Sequence, residues 1–209
     1  NSDWETEGND RKALELPCNQ DELITEITSI NKNCVVVLNT GSPVSMSWVK
    51  KPKAILQSWF GGQEYGNALM EIIFGKTNPS GKLPTTFPIK IDDTPAYTSY
   101  PGQNSQMNYE EKLLIGYRWY EKKGIKTLFP FGHGLSYTNF NFESLKIEQK
   151  DENIYCRFNV SNIGKFDGKE IIQCYVAKPN CQNEEPIKTL QNFKKIKIKK
   201  GQTKTVKLK

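Results

Sequence analysis

The first eleven residues hold the densest set of groups able to move protons. Asp3, Glu5 and Glu7 stand at spacing two beside Trp4, and Asp10 and Arg11 follow in a glycine-containing stretch. A carboxyl works as a general acid when burial or a neighbouring carboxylate raises its pKa. Closely spaced acids beside an indole could supply both conditions. Spacing alone does not single out one of the three acids, and on composition the stretch also reads as a solvated loop.

Other chemical templates fail. His133 is the sole histidine, and Gly132-His133-Gly134-Leu135-Ser136 has no nucleophile-elbow pattern, so it reads as a structural loop histidine. Gly75-Lys76-Thr77 lacks the first glycine of a phosphate loop, because Met70 occupies that position, and Gly81-Lys82 is followed by Leu83 rather than Ser or Thr. Gly61-Gly62 opens a helix and could meet an anion, but a tight strand-to-helix turn is the simpler account. The five cysteines, at 18, 34, 156, 174 and 181, show no metal spacing. Their odd number argues against a disulfide framework. Cys156 and Cys174 fall on adjacent predicted strands and could pair in a secreted protein, though buried free thiols are the expectation. Asn159-Val160-Ser161 is the single glycosylation sequon, and it sits on a predicted strand.

The elements that must position these groups follow from hydropathy. The chain has 209 residues, 36% hydrophobic and 25% charged, which excludes collagen, low-complexity disorder and a coiled coil. Its longest apolar run, residues 34–38, is five residues, too short to span a bilayer. It opens without Met, so its natural N-terminus is expected upstream. Residues 1–133 carry 14 basic and 15 acidic side chains, whereas residues 134–209 carry 15 and 8, a shift that suggests a domain boundary. Residues 194–209 contain eight lysines and no acid, alternating with Ile196, Ile198, Val206 and Leu208. That alternation reads as a half-buried strand pair with a lysine-covered wet face rather than a nucleic-acid patch, since stacking aromatics are absent from the tail.

Residues 20–30 predict an amphipathic helix with Leu23, Ile24, Ile27 and Ile30 on one face. The runs 34–38 and 54–57 predict strands buried on both sides, as in a parallel sheet. A second helix follows Gly61-Gly62, with Ala68, Leu69, Ile72 and Ile73 on its inner face and Gly75 as its cap. Strand–helix alternation of this kind implies an α/β layer domain with a mostly parallel sheet. Residues 76–108 read as a long loop, strand-like only at 83–87, and a strand is expected at 113–120. Beyond His133 the pattern becomes short alternating segments at 142–148, 154–160, 170–177, 196–199 and 203–209. These indicate an antiparallel sandwich of about five strands where seven are usual, so the sandwich is expected to be incomplete.

Three segments together resemble glycoside hydrolase family 3, the β-glucosidase type. Residues 58–88, SWFGGQEYGNALMEIIFGKTNPSGKLPTTFP, carry its G-Q-E-x-G-N-A-L and N-P-S-G-x-L-P-x-T-F-P signatures. Residues 115–140, IGYRWYEKKGIKTLFPFGHGLSYTNF, resemble its G-Y-R-x-Y and F-P-F-G-x-G-L-S-Y-T-x-F blocks. Residues 4–24, WETEGNDRKALELPCNQDELI, resemble its E-x-E-G-x-D-R followed by L-P-x-x-Q-D-E-L-I. The blocks occur in the family's order.

The resemblance implies a C-terminal α/β domain over residues 1–137 and an incomplete fibronectin type III-like β-sandwich over 138–209. It also implies an N-terminal barrel, absent from this chain, that carries an aspartate nucleophile. Ser2-Asp3-Trp4 looks like the barrel's nucleophile motif, but the residues after it fit the acid/base loop. The match places the acid/base on Glu7, with Glu5 as runner-up and Asp3 third. Arg11 is expected to pair with Asp10 and fix the loop. Asn9 departs from a common aromatic and Lys112 from a common glycine. The retaining mechanism needs two carboxyls about 5–5.5 Å apart, so this segment alone is expected to be inactive.

The resemblance implies a β-glucoside or oligosaccharide substrate, with β-xyloside second, and no metal or organic cofactor. It implies no nucleic-acid or membrane partner, and it allows a homodimer of the full-length protein. A secreted or lysosome-like location is the family tendency. A non-catalytic carbohydrate-binding or scaffolding module is the alternative from another class.

Overall fold

The structure, a computed structural model, describes residues 11, 13–102, 104, 106–182 and 184–209. Packing divides them into two units. One is formed by the described residues up to Tyr65 together with Thr85–Phe131, the other by Gly66–Pro84 and Gly132–Lys209.

In the first unit, helix α1 spans Gln20–Ile30, where the sequence predicts it. The face it buries differs from the expected one. Thr28 is fully buried and Asp21, Ile24 and Thr25 are half-buried, whereas Leu23, Ile27 and Ile30 are exposed. Asp21 sets this rotation. Its carboxylate accepts the Leu16 N–H at 3.1 Å and the indole N–H of Trp48, which is itself fully buried. Positions 24, 25 and 28 follow Asp21 inward at helical spacing, and the Thr28 hydroxyl is satisfied by Ile24 O at 2.6 Å. Strands β1 (Val35–Leu38) and β2 (Ala54–Gln57) pair in parallel, Val35 opposite Ala54 and Leu38 opposite Gln57. The chain between them sends Val44, Met46 and Trp48 into the core. Among the described residues this is the one parallel pair, so the unit is mixed α/β with small sheets.

Two strand expectations are corrected here. The strand-like segment at 83–87 yields only β3 (Phe87–Pro88), antiparallel to β4 (Thr127–Phe129). Phe87 is buried and meets Trp59 and Phe129 edge-on, with centroids 6.1 and 6.3 Å away. The expected strand at 113–120 is largely replaced by helix α3 (Tyr117–Lys123). Gly116 breaks the extended path at φ 55°, Gly124 closes the helix at φ 64°, and Tyr120 turns into the core. Aromatic and β-branched content favoured a strand on propensity, and the bracketing glycines override it.

In the second unit, helix α2 spans Tyr65–Ile73, with all but its first residue in this unit. Gly75 ends it at φ 70° and donates its N–H to Ile72 O at 3.0 Å, as expected of a cap. Of its expected inner face, Leu69 and Ile72 are half-buried while Ala68 and Ile73 are exposed. The five predicted strands are present as β5 (Phe140–Lys150), β6 (Asn153–Asn162), β7 (Gly168–Ala177), β8 (Lys188–Ile198) and β9 (Thr203–Leu208). They form two antiparallel sheets, β5-β6-β9 and β7-β8. Phe158, Val160, Ile172, Ile198, Val206 and Leu208 from both sheets make one shared core, which is the sandwich arrangement.

The lysine-rich tail alternates as expected, with Ile198, Val206 and Leu208 buried. Its two strands do not pair with each other: β8 joins β7 and β9 joins β6. No disulfide joins the five cysteines. Cys18 is exposed and the other four are only half-buried, so the expectation of buried thiols is met in part.

Candidate active site

Glu7, its runner-up Glu5, Asp3, Trp4 and Asp10 lie outside the described residues. Arg11 is where the structure takes up the acidic segment. Its Nη1 donates to Ser42 Oγ at 2.7 Å and to Pro43 O at 3.0 Å, and its Nη2 donates to Glu15 O at 3.4 Å. The guanidinium is thereby fixed against the turn that leaves the carboxyl end of β1. Its buried Nε has no hydrogen-bond partner among the described residues.

The carboxyl end of β2 turns over the same edge. Gln57 Nε2 donates to Thr40 O at 3.3 Å and to Thr40 Oγ1 at 3.2 Å. The Ser58 N–H and hydroxyl both reach Leu38 O, at 2.9 and 2.7 Å, and Ser58 Oγ shares a hydrogen bond with Tyr65 OH at 2.8 Å. Trp59 sits at φ 54°, a conformation costly for a non-glycine residue and frequent at functional sites. Phe60 beside it is exposed, and its ring covers Gly41 so closely that an added Cβ would lie 2.7 Å away. Parallel sheets bind ligands beyond the carboxyl ends of their strands. Arg11, Trp59 and Phe60 lie on the connections at that edge.

The remaining motifs have structural roles. Gly61 packs under the Tyr65 ring with no space for a Cβ, as a tight strand-to-helix turn requires. Gly81-Lys82 holds protein groups instead of phosphate: Lys82 Nζ donates to Gly134 O at 2.7 Å and pairs with Glu170 at 3.0 Å. His133 is held below the ordinary histidine pKa, by burial first and by the Lys82 charge second. Its carbonyl accepts the Leu83 N–H at 2.8 Å, in keeping with a loop histidine. In the first unit, burial and then the charge of Asp93 push the Tyr120 phenol up to about 12. Among the described residues no group of His, Cys, Asp and Glu could hold a metal ion.

Sequence reasoning missed four polar anchors: Ser42, Asp21, Asn78 and Asn162. Asn78 Oδ1 accepts from the Tyr137 N–H at 2.8 Å and the Ser136 hydroxyl at 3.0 Å, and its Nδ2 donates to Asp167 O at 3.0 Å. Its place inside N-P-S-G was the available signal. Asn162 is buried with all its capacity used. Its Oδ1 accepts from Thr138 Oγ1 and the Gly164 N–H, and its Nδ2 donates to Phe166 O and Ile198 O. Its local pattern, Asn162-Ile163-Gly164, marks only a turn between strands.

The model of the glycosyl hydrolase family 3 C-terminal domain matches residues 1–137, and that of the fibronectin type III-like domain matches residues 170–209. The chain is 44% identical over 208 residues to thermostable beta-glucosidase B of Acetivibrio thermocellus, covering 98% of this chain and 28% of that protein. It is 42% identical to probable beta-glucosidase I of Emericella nidulans, covering 99% and 26%. Among solved structures, the beta-glucosidase of Kluyveromyces marxianus in complex with glucose superposes with a TM-score of 0.95 at 38% identity, over 100% of this chain and 25% of that one. DesR, a beta-glucosidase of Streptomyces venezuelae in complex with D-glucose, superposes at 0.88 and 40% identity, over 97% and 26%. The chain thus spans about a quarter of the length of these relatives.

Proposed function

The chain belongs to glycosyl hydrolase family 3 through its C-terminal domain, and from that premise we propose that it is the C-terminal part of a retaining β-glycosidase acting on terminal β-D-glucosyl residues. The observation that carries this reading is identity of 44 and 42% to beta-glucosidases along almost the entire chain. Glucose in two relatives of matching fold supports the sugar.

In this reading residues 1–137 form one domain with a layered, mostly parallel sheet, and 138–209 belong to the fibronectin type III-like sandwich. The single parallel pair β1–β2 is then part of a larger sheet. The exposed stripe of Leu23, Ile27 and Ile30 on α1 supports this, because an apolar face of that kind is normally covered. The nucleophile aspartate lies on a barrel outside this chain, so the chain alone does not turn over glycosides.

Glu7 is the acid/base, with Glu5 as runner-up. It protonates the leaving glycosidic oxygen, then deprotonates the water that resolves the glycosyl-enzyme intermediate. Its pKa must stay high until the bond breaks. An arginine free to swing onto it would lower that pKa. Arg11 is instead committed to Ser42 and Pro43 O. Its role is to hold the loop in place. No metal or organic cofactor enters the mechanism.

The test uses the full-length protein with aryl β-glucoside and β-xyloside, comparing wild type with Glu7→Ala and Glu5→Ala, each with and without azide. Slow turnover by Glu7→Ala that azide restores identifies the acid/base. The same pattern in Glu5→Ala alone moves the assignment by two residues. Faster xyloside than glucoside turnover by wild type changes the sugar. An inactive full-length wild type supports the non-catalytic sugar-binding module.

A further inference from the structure

Cys156 and Cys174 pack on one core from the two sheets of the sandwich. Cys156 is on β6, the central strand of its sheet, opposite Ile147 on β5 and Leu208 on β9. Cys174 is on β7 in the other sheet, opposite Asn192 and next to the irregularity between Cys174 and Tyr175. Strand alternation points both inward. Cys156 is in phase with Phe158 and Val160, Cys174 is in phase with Ile172, and both pack on the core those residues form. Cys156 is close enough to Cys174 to raise the pKa of its thiol. Both thiols are half-buried, and so retain an exposed side.

The geometry points to Cys156 and Cys174 as a reversible disulfide site that fastens the two sheets of the sandwich together when the protein meets a disulfide oxidant. With oxidised glutathione the step balances. One cysteine thiolate attacks a glutathione sulfur and releases one glutathione thiol. The second cysteine attacks the resulting mixed disulfide and releases the other. Two electrons pass from the protein thiols to the oxidant, and one protein S–S bond replaces two S–H bonds. Burial first, and the neighbouring Cys156 second, raise the pKa of Cys174, which slows thiolate formation at that cysteine. A link between separate sheets restrains the unfolded chain, and it forms where the compartment is oxidising. This inference does not rest on the glycosidase reading.

The full-length protein is equilibrated at about pH 8 in glutathione buffers running from reduced to oxidised, alkylated under denaturing conditions, digested and mapped by mass. The expected result is a peptide pair joined through Cys156 and Cys174, lighter by two hydrogens than the separate peptides and lost again on return to reduced glutathione. The unfolding midpoint of the oxidised wild type is expected to rise by about 5 °C or more. Cys156→Ser and Cys174→Ser each remove the joined peptide and that rise. The wild-type map alone suffices if a variant fails to fold. Three results overturn the proposal: both cysteines alkylated at every poise, a persistent glutathione adduct on either one, or either one joined to a different cysteine.

Discussion

Lys82 Nζ lies 3.0 Å from Glu170 Oε1, with 16 and 12% of the two side chains exposed, so a loop lysine and a strand carboxylate form a mostly buried ion pair. The lysine also donates to Gly134 O and the carboxylate accepts the Ile171 N–H. Removing one partner strands the other in low dielectric. Lys82→Met is therefore expected to destabilise by about 2–3 kcal/mol. Lys82→Met combined with Glu170→Leu should cost less than the two single changes added together. Urea unfolding of the four proteins measures the coupling, and strict additivity would contradict it.

Asn162 joins Thr138, Gly164, Phe166 and Ile198 through one buried amide. Asn162→Ala leaves buried partners unpaired and opens a cavity, with an expected loss of about 3 kcal/mol or more. Thr138→Val removes a single donor and should cost about 1 kcal/mol. Equal losses for the two would show that the amide is not the hub.

The proton linkage of His133 has a definite sign. Its folded pKa lies below the ordinary value near 6.5, so the unfolded chain binds the proton first as pH falls. The stability this contributes is present above about pH 6.5 and is lost as pH falls through the lower folded value. His133→Gln is expected to flatten the fall of the melting temperature below about pH 6.5. An unchanged slope in that variant would assign the acid sensitivity to other groups.

Tyr120 titrates at the other end of the scale. With its phenol pushed up to about 12, the folded state keeps a proton that the unfolded chain releases near 10. Stability from this group is present below about pH 10 and falls as pH climbs towards 12. Absorbance titration of tyrosinate should show a late-ionising tyrosine that Tyr120→Phe removes. Absence of that late phase in the wild type would contradict the burial of Tyr120.

Arg11 fixes its segment through a fork that lysine cannot reproduce. On the proposed glycosidase reading, Arg11→Lys in the full-length protein is expected to lower kcat by roughly 10- to 100-fold with little change in KM, as displaced catalytic groups do. Ser42→Ala should follow the same direction with a smaller loss. A purely structural role would lower the melting temperature and leave kcat of the folded fraction intact.

Hydropathy made much of this fold legible. Alternation gave five strands from β5 to β9, apolar runs gave β1 and β2, and a helical period gave α1 and α2. What stayed hidden depends on contacts remote in sequence. The rotation of α1 follows from Asp21 reaching Trp48, which no local period contains. The helix at Tyr117–Lys123 hides in a strand-like composition. The lysine tail gave its two strands correctly but not their partners, because pairing across a sandwich is set by topology rather than by either strand. At the candidate site, residue types and the family resemblance singled out the acidic segment. The grip of Arg11 on Ser42, 31 positions away, became visible only in the folded chain.

The segment Gly66–Pro84 joins the unit formed by Gly132–Lys209, and Asn78, Leu83 and Lys82 bind it to Tyr137, His133 and Glu170. That unit is consequently encoded in two separated stretches. A gene fusion or recombination event cutting once near residue 137 would deliver strands stripped of the strap that neutralises Glu170 and occupies the backbone of the preceding loop. Inheritance of this module as a working piece therefore requires both stretches to travel together, and with them Thr85–Phe131 of the first unit, which lies between them in the chain.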